Sequence, residues 1–204
     1  MPEVVQRKRL VVVGLGLIGG SFAKGIREKG LFEEVVGVDR DPQTRRLAVE
    51  LGVVDRCEES LAAGCREADV IQLAVPILAM EKVLGELATL DIGNAILTDV
   101  GSAKGNVVRA AKAVFGGMPA RFVPGHPIAG SEQSGVEAAN AKLFRRHKVI
   151  LTPLDNADPD AIQCVESLWR ELGADVEQMA VEHHDEVLAA TSHLPHLLAF
   201  TLVD

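Results

Sequence analysis

The sequence predicts an α/β protein built on a doubly wound, mostly parallel sheet. Short apolar runs of strand length alternate with longer segments of helical periodicity along most of the chain, and parallel strands joined by crossover helices produce this pattern. A glycine-rich turn follows the first apolar run directly. The composition, 48% hydrophobic and 25% charged, is typical of a folded globular domain rather than of a disordered chain.

Seven apolar runs are expected to form strands, since each is short and bounded by glycine, proline or charged residues. They cover residues 10–13, 35–39, 70–75, 95–100, 121–124, 149–152 and 175–179, the last at a sheet edge. The predicted helices begin at the glycine turn, at Asp41-Pro42, after Pro76, after the turn 101–104 and at Asp158-Pro159. Aspartate before proline is a typical N-cap, and Gly52 and Gly173 are expected to end two of these helices.

The charge and the cysteine content restrict the partners and the compartment. The net charge of -8 argues against binding to a nucleic-acid backbone, which rewards clustered Lys and Arg. The three cysteines form no CxxC pair, as expected for thiols in a reducing compartment. The basic and apolar start at residues 6–13 resembles a signal peptide, but Gly14 and Gly16 interrupt it and no cleavage site follows. A cytoplasmic protein without membrane spans is therefore expected.

The glycine turn reads Gly14-Leu15-Gly16-Leu17-Ile18-Gly19, a G-x-G-x-x-G motif. Alone this motif is weak evidence, but here it follows a strand and opens a helix, as a dinucleotide site requires. Gly14 would allow the tight turn, Gly16 the approach of a pyrophosphate, and Gly19 the close packing of helix on strand. The helix start, at Leu17 and Ile18, would face the phosphates. The motif predicts a Rossmann-type dinucleotide-binding domain.

Asp39 is the predicted ribose-binding residue. It ends the second predicted strand about 20 residues after the glycines, where a carboxylate accepts both ribose hydroxyls of NAD and repels the 2′-phosphate of NADP. Arg40 follows it and is able to hold a 2′-phosphate, so NADP is the alternative to the predicted NAD. A strand, turn and helix with a capping aspartate and no ligand is the simpler interpretation of the same residues.

From Ala180 the pattern is helical to the end of the sequence, with apolar residues at Leu194, Leu197, Leu198 and Leu202. An apolar helical face needs a partner surface. We therefore expect an NAD-binding Rossmann domain over residues 1–179 and, over 180–204, the start of a second, all-helical region that the chain does not complete.

A second candidate group is Gly125-His126-Pro127-Ile128-Ala129-Gly130-Ser131-Glu132, after the strand at 121–124. A histidine between glycine and proline is expected in a loop, at the edge of the sheet where ligands bind. Its ordinary pKa of about 6.5 suits it to take a proton from an alcohol as hydride leaves carbon. A histidine that only fixes the turn is the alternative.

More histidines lie near the end of the chain. His193 and His196, in Thr191-Ser192-His193-Leu194-Pro195-His196, fall on one side of a helix that Pro195 would bend. The spacing matches no familiar zinc pattern and no cysteine or carboxylate completes one, so no metal is expected. His183 and His184 are expected on a solvated helix surface.

Three segments together resemble the prephenate/arogenate dehydrogenase family. They are the glycine turn extended to Gly20-Ser21, the His126 segment continuing to Gly135, and the residues from Ser192 to His196. They occur in the family's order and span nearly all of the chain. The first is shared with many dehydrogenases, whereas the other two in combination are specific. The resemblance implies NAD-dependent oxidative decarboxylation of prephenate to hydroxyphenylpyruvate, or of arogenate to tyrosine, in tyrosine biosynthesis.

The resemblance also implies residue roles. His126 would accept a hydrogen bond from the substrate's 4-hydroxyl and take its proton, while Ser102 would contact the same hydroxyl beside the nicotinamide. His193 and His196 would line the substrate pocket, with Glu132 near its mouth. Hydride would leave C4, and loss of carbon dioxide would then make the ring aromatic. Family members continue into a helical dimerisation domain that supplies an arginine for the substrate carboxylate, so a homodimer is expected.

Two alternatives remain open from the sequence. A β-hydroxyacid dehydrogenase or an imine-type reductase shares the glycine turn, but typically uses a lysine or another acid or base instead of a His-Pro segment. A non-catalytic NAD-binding module would bind NAD without turnover. The sequence does not distinguish prephenate from arogenate, because that choice depends on how the pocket treats a keto or an amino group.

Overall fold

A computed structural model, which describes residues 7–189, confirms the predicted α/β fold. The strands of its large sheet are β1 (Arg7–Val13), β2 (Phe32–Val38), β3 (Arg56–Glu58), β4 (Val70–Leu73), β5 (Ile96–Asp99) and β6 (Phe122–Val123). They are all parallel and lie in the order β3-β2-β1-β4-β5-β6. The order reverses between β1 and β4, and in open parallel sheets ligands bind outside the carboxyl ends of the strands at such a point.

Helices connect these strands and follow them. They are α1 (Leu17–Glu28), α2 (Pro42–Glu50), α3 (Leu61–Gly64), α4 (Ile77–Leu87), α5 (Lys104–Phe115), α6 (Pro159–Glu171) and α7 (Val181–Leu188), with a short 3-10 helix at Val136–Ala138. The predicted caps are confirmed, because the side chains of Asp41 and Asp158 accept hydrogen bonds from the first backbone N–H groups of α2 and α6. Gly52 and Gly173 follow the same helices with positive φ angles of 64° and 83°, which glycine adopts without strain.

The runs predicted at 149–152 and 175–179 are strands, but they form a separate sheet instead of extending the large one. This second sheet contains β7 (Gly125–Pro127), β8 (Lys148–Leu151) and β9 (Asp175–Gln178). The central strand β8 is antiparallel to β7 and parallel to β9.

The prediction that His126 lies in a loop is wrong, because His126 pairs with Ile150 inside this second sheet. The backbone N–H of Thr152 donates to the Pro124 carbonyl at 2.9 Å. At the other end of the ladder, the N–H of Ile128 donates to the Lys148 carbonyl at 2.8 Å. Ladder hydrogen bonds in antiparallel pairs fall on alternate residues. Pro127 therefore occupies a position where no N–H is needed, and a strand tolerates it.

Strand β3 and helix α3 were not predicted. Strand β3 was missed because its residues, Arg56-Cys57-Glu58, form no apolar run. It is the edge strand of the large sheet. Polar side chains are common on edge strands, where they discourage pairing with other chains. Arg56 Nε donates to Glu34 Oε1 on the neighbouring strand at 2.7 Å.

The core lies on both faces of the large sheet. Alternate residues of β1 face opposite sides, so Leu10 and Val12 join one cluster and Val11 and Val13 the other. The first cluster also contains an aromatic group in which the Trp169 ring lies 4.7 Å from Phe22 and 4.9 Å from Phe144. This group packs α6 against α1 and against the segment that precedes β8.

Within residues 7–189, no helix is long and apolar enough to cross a membrane. Helix α7, which begins just past the expected domain boundary at 179, contacts α5. Most of the segment predicted to start a helical domain, residues 190–204, lies outside the described residues, as do His193 and His196.

Candidate active site

The glycine turn has the packing that its sequence predicts. Gly14 has a φ angle of 90°, and a Cβ added there would lie 2.5 Å from the carbonyl oxygen of Ala74, the residue that follows β4. A Cβ on Gly19 would lie 2.0 Å from the Gly14 carbonyl oxygen. Because neither position has room for a side chain, α1 begins in close contact with the ends of β1 and β4.

Gly16 differs from the other two glycines, since a Cβ added there would meet nothing within 4 Å. The backbone at Gly16 is extended, with φ -71°, and it is the N-cap residue of α1. No side chain caps this helix, and its first turn, which contains Leu17 and Ile18, carries no acidic residue. The first N–H groups of α1 and the positive end of its dipole therefore face open space, where a phosphate is able to approach.

Asp39 lies directly after β2 and holds the glycine turn. Its Oδ2 accepts a hydrogen bond from the N–H of Leu15 at 2.9 Å, and its Oδ1 accepts one from the N–H of Asp41 at 3.0 Å. Each carboxylate oxygen has a second lone pair, so ribose hydroxyls can bind the same group. Arg40 is exposed beside it.

A cleft of about 430 Å³ opens at this point. It is lined by residues from the ends of β1 and β2, from α3 and from α4, among them Gly14, Asp39, Arg40, Ser60, Val75 and Lys82. Its place at the carboxyl ends of the strands, beside the glycine turn, fits the adenosine half of a dinucleotide. The residues present therefore fit the predicted cofactor.

The extension of the turn, Gly20-Ser21, connects α1 to the segment after β7. A Cβ on Gly20 would lie 3.1 Å from the Cβ of Ala139, which leaves little room for a larger residue. The buried Ser21 hydroxyl accepts a hydrogen bond from the N–H of Asn140 at 2.9 Å. These contacts fix the segment that follows His126 against the nucleotide-binding helix.

His126 is half-buried on β7, which follows β6 at the same end of the large sheet. The preceding residue, Gly125, packs on β5: an added Cβ would lie 3.2 Å from the Asp99 carbonyl oxygen. The Gly125 carbonyl accepts a hydrogen bond from Lys104 Nζ at 2.6 Å. The histidine therefore has a backbone anchored to β5 and α5, the elements that flank the predicted Ser102 turn.

Lys104 is fully buried, and its ammonium forms an ion pair with Asp99 Oδ2 at 2.5 Å. Burial lowers the pKa of Lys104, and the neighbouring Asp99 carboxylate opposes that shift. Its side chain ties β5 to the residue before His126.

The prediction that His184 lies on a solvated helix surface is wrong. His184 is fully buried, whereas its neighbour His183 is exposed as predicted. The Nε2 of His184 lies 2.9 Å from Nδ1 of His126, and its Nδ1 lies 2.8 Å from Asp185 Oδ1. Helical periodicity shows which residues share a face, but not that α7 covers the end of β7.

Asp185 completes this network and was not predicted. Its Oδ1 accepts a hydrogen bond from the N–H of Lys104 at 3.0 Å, and its Oδ2 accepts one from Gly105 at 2.9 Å. It therefore caps α5, whose own N-cap residue, Ala103, has no capping side chain. The signal in the sequence was the pair His184-Asp185, a titratable base beside a carboxylate.

Ser102 lies exposed in the turn between β5 and α5. The turn is held by Asp99 Oδ2, which accepts from the N–H of Gly101 at 2.7 Å. Glu132 lies on the exposed segment between β7 and the 3-10 helix. Among residues 7–189, the structure gathers no group of three or more metal-ligating side chains.

The imidazole of His126 on a paired strand and the open start of α1 lie at the same end of the large sheet. The helix start and the Asp39 cleft suit a dinucleotide, and a neutral imidazole suits removal of a proton from an alcohol. Together they are able to support oxidation of an alcohol carbon.

Comparison with known proteins agrees with this chemistry. Residues 22–178 match the family model described as prephenate dehydrogenase, nucleotide-binding domain. The chain is 39% identical over 197 residues to the prephenate dehydrogenase of Lactococcus lactis, covering 96% of this chain and 53% of that protein. It is 37% identical to the cyclohexadienyl dehydrogenase of Zymomonas mobilis, covering 96% of this chain and 66% of that protein. The chain therefore spans between about half and two thirds of the length of these two curated relatives.

A solved structure is similar over the same region. The prephenate dehydrogenase of A. aeolicus, crystallised with hydroxyphenyl propionate and NAD+, superposes with a TM-score of 0.91 at 38% identity. The match covers 98% of this chain and 69% of that one. The glycine turn, the His126 strand and these similarities place the chain in the prephenate dehydrogenase family. Residues 22–178 correspond to the nucleotide-binding domain of that family.

Proposed function

We propose that this chain binds NAD and supports the oxidative decarboxylation of prephenate or arogenate, giving hydroxyphenylpyruvate or tyrosine in tyrosine biosynthesis. The observation that carries the proposal is the anchored His126, whose strand lies at the same end of the sheet as the uncapped start of α1. Its family relatives are named for this reaction.

The cofactor would lie along the carboxyl ends of β1, β2 and β4. The backbone N–H groups of Leu17 and Ile18, beside the open Gly16, would hold the pyrophosphate, and Asp39 would bind the ribose. Arg40 is the residue that would meet a 2′-phosphate if NADP bound instead. When bound, the nicotinamide supplies the acceptor for the hydride that leaves the substrate.

His126 would accept the proton of the substrate's 4-hydroxyl. Its backbone is fixed by strand pairing and by the Lys104 contact with Gly125, so little reorganisation precedes proton transfer. Ser102, in the turn held by Asp99, would orient the same hydroxyl. Once the alcohol carbon is oxidised, the ring loses carbon dioxide and becomes aromatic, which makes the reaction effectively irreversible.

Other features of the proposal concern the rest of the protein. Glu132, His193 and His196 would contribute to the substrate pocket. Residues 1–179 would form the NAD-binding domain, and residues from 180 would begin a helical region through which two copies associate. The net charge of -8 argues against a nucleic-acid partner. We also propose a cytoplasmic location.

The test is to measure NADH and carbon dioxide together, with NAD and either prephenate or arogenate as substrate. It is applied to the 204-residue chain and to any longer product that its gene encodes. We expect the two products in equal amounts, and the faster substrate identifies the preference. NADH without carbon dioxide, or turnover of a simple hydroxyacid but not of prephenate or arogenate, contradicts the proposal. Tight NAD binding with no turnover in the longer product would instead indicate a non-catalytic NAD-binding module.

A further inference from the structure

The structure contains a chain of three side chains that begins at the proposed proton acceptor. His126 Nδ1 lies 2.9 Å from His184 Nε2, and His184 Nδ1 lies 2.8 Å from Asp185 Oδ1. The two rings meet edge to face, with centroids 5.2 Å apart. His184 is fully buried between β7 and the start of α5, so each hydrogen bond in this chain constrains the next.

The far end of the chain is a carboxylate. Both oxygens of Asp185 accept backbone hydrogen bonds at the start of α5, from Lys104 and Gly105. Burial raises the pKa of Asp185, but the hydrogen bonds from His184, Gly105 and Lys104 outweigh it and hold the pKa below its usual value. An ionised carboxylate only accepts hydrogen bonds. The hydrogen between Asp185 and His184 therefore belongs to His184 Nδ1.

The hydrogen on His184 Nδ1 determines which ring carries the hydrogen between His184 and His126. Burial lowers the pKa of His184 and outweighs the contrary effect of Asp185, so the neutral ring is favoured. A neutral imidazole carries one hydrogen, and since His184 Nδ1 holds it, Nε2 must accept. The hydrogen in the 2.9 Å contact is then donated by His126 Nδ1.

We propose that His184 and Asp185 are positioning residues that hold neutral His126 with its hydrogen on Nδ1, so that Nε2 is the nitrogen that takes the substrate proton. This inference rests on the proposed function for its kinetic consequence. In the proton-transfer step, the substrate O–H bond breaks and an N–H bond forms at Nε2. The positive charge that appears on His126 is stabilised through His184 by the Asp185 carboxylate, as in other acid–base chains that end in a carboxylate.

The opposite tautomer of His126 requires a costly state of the network. With hydrogen on Nε2, His126 Nδ1 would accept, and His184 would have to donate from Nε2. His184 would then need a charge in a fully buried site, or its Nδ1 would face the Asp185 carboxylate without a hydrogen. Both states lose an interaction that the geometry provides.

The direct test measures the tautomer without substrate. Imidazole nitrogen NMR of isotope-labelled histidine distinguishes a nitrogen that carries hydrogen from one that does not, and single-histidine variants assign the signals. We expect hydrogen on Nδ1 and none on Nε2 for both His126 and His184. Hydrogen on Nε2 of neutral His126 would overturn the proposal, whether or not the protein turns over prephenate.

Two variants of similar size test the kinetic consequence. In His184→Gln the amide oxygen still accepts from His126 Nδ1, whereas in His184→Met nothing replaces that acceptor. We expect kcat to fall by about 10–100-fold in His184→Met, the size of effect seen when a metal-bound histidine loses its hydrogen-bond partner. His184→Gln should recover most of that loss, with NAD affinity unchanged in both.

The order of the two variants separates positioning from mere packing. An apolar Met suits the buried site at least as well as a Gln, so a structural role predicts that His184→Met is the more stable and the more active. Activity that follows stability would overturn the proposal, and the reverse order supports it. If the wild-type protein shows no turnover, the proposed function fails, and the NMR measurement alone decides the tautomer.

Discussion

Lys104 Nζ lies 2.5 Å from Asp99 Oδ2, and both side chains are fully buried. The same ammonium donates to the Gly125 carbonyl at 2.6 Å. This ion pair therefore joins β5, α5 and β7, and it fixes the residue that precedes His126. A buried pair of this kind is costly to desolvate but strongly destabilising to break.

Replacement of Lys104 should destabilise the protein. Lys104→Met leaves Asp99 charged and buried without its partner, and we expect the free energy of unfolding to fall by about 3–5 kcal/mol. The double variant Lys104→Met/Asp99→Asn should recover part of that loss, because the unpaired charge is gone. Urea unfolding measures both. A single variant as stable as the wild type would contradict the assigned role.

Substitutions of two glycines in one motif should have different effects. Gly16→Ala adds a Cβ in open space at an extended φ, so stability should change by less than about 0.5 kcal/mol. NAD affinity should fall by about tenfold or more, equivalent to ~1.4 kcal/mol, because the methyl group takes the phosphate's place. Gly19→Ala should lower stability by about 1–3 kcal/mol through overpacking. Unfolding experiments measure the stability of both variants, and NAD titration measures their affinity for the cofactor. If the two substitutions had equal effects on stability and on NAD affinity, a phosphate at Gly16 would be excluded.

Asp39 should determine the choice between NAD and NADP. Asp39→Asn keeps an oxygen that accepts from the Leu15 N–H but removes the charge that repels a 2′-phosphate beside Arg40. We expect the ratio of NAD to NADP affinity to fall by at least about tenfold. Asp91→Asn is the matched control, because Asp91 accepts from Gly93 within its own exposed turn. An unchanged ratio would show that Asp39 does not face the ribose.

The buried His184 should make stability depend on pH. Its pKa is lowered, chiefly by burial, so between the lowered value and about 6.5 the unfolded chain binds more protons than the folded protein. The stabilisation is complete above about pH 6.5 and is lost as the pH falls through the folded pKa. The groups that face His184 are His126, Asp185, Lys104 and Asp99.

The measurement is the free energy of unfolding across that pH range. The slope should decrease in His184→Gln, which has no titrating group at this position, and it should persist in His183→Gln, an exposed neighbour. The same slope in all three proteins would contradict the assignment to His184.

The nucleotide half of the site was predictable because its signals are local. A strand, a G-x-G-x-x-G turn and an aspartate after the next strand are written in consecutive residues, and the structure brings them together as predicted. The caps at Asp41 and Asp158 depend only on neighbouring N–H groups. The strands of the large sheet were predictable because parallel strands buried on both faces form continuous apolar runs.

The proposed proton-acceptor half depends on contacts between distant residues. His126 pairs with Ile150, and Asp185 caps a helix about 80 residues earlier. No local pattern shows that α7 covers β7, so helical periodicity suggested a solvated His184. Edge strand β3 was missed for a related reason, since its Arg56 pairs with Glu34 on another strand.

The central claim is tested most directly by the rate of NADH formation in His126→Asn, with prephenate or arogenate as substrate. His147→Asn is the control, because His147 is also a histidine but is exposed. We predict that kcat falls by about 10²–10⁴-fold in His126→Asn, the usual contribution of a general base, while NAD affinity is unchanged and His147→Asn retains full activity. Wild-type kcat in His126→Asn would contradict the account, since the proton would then leave the substrate by another route.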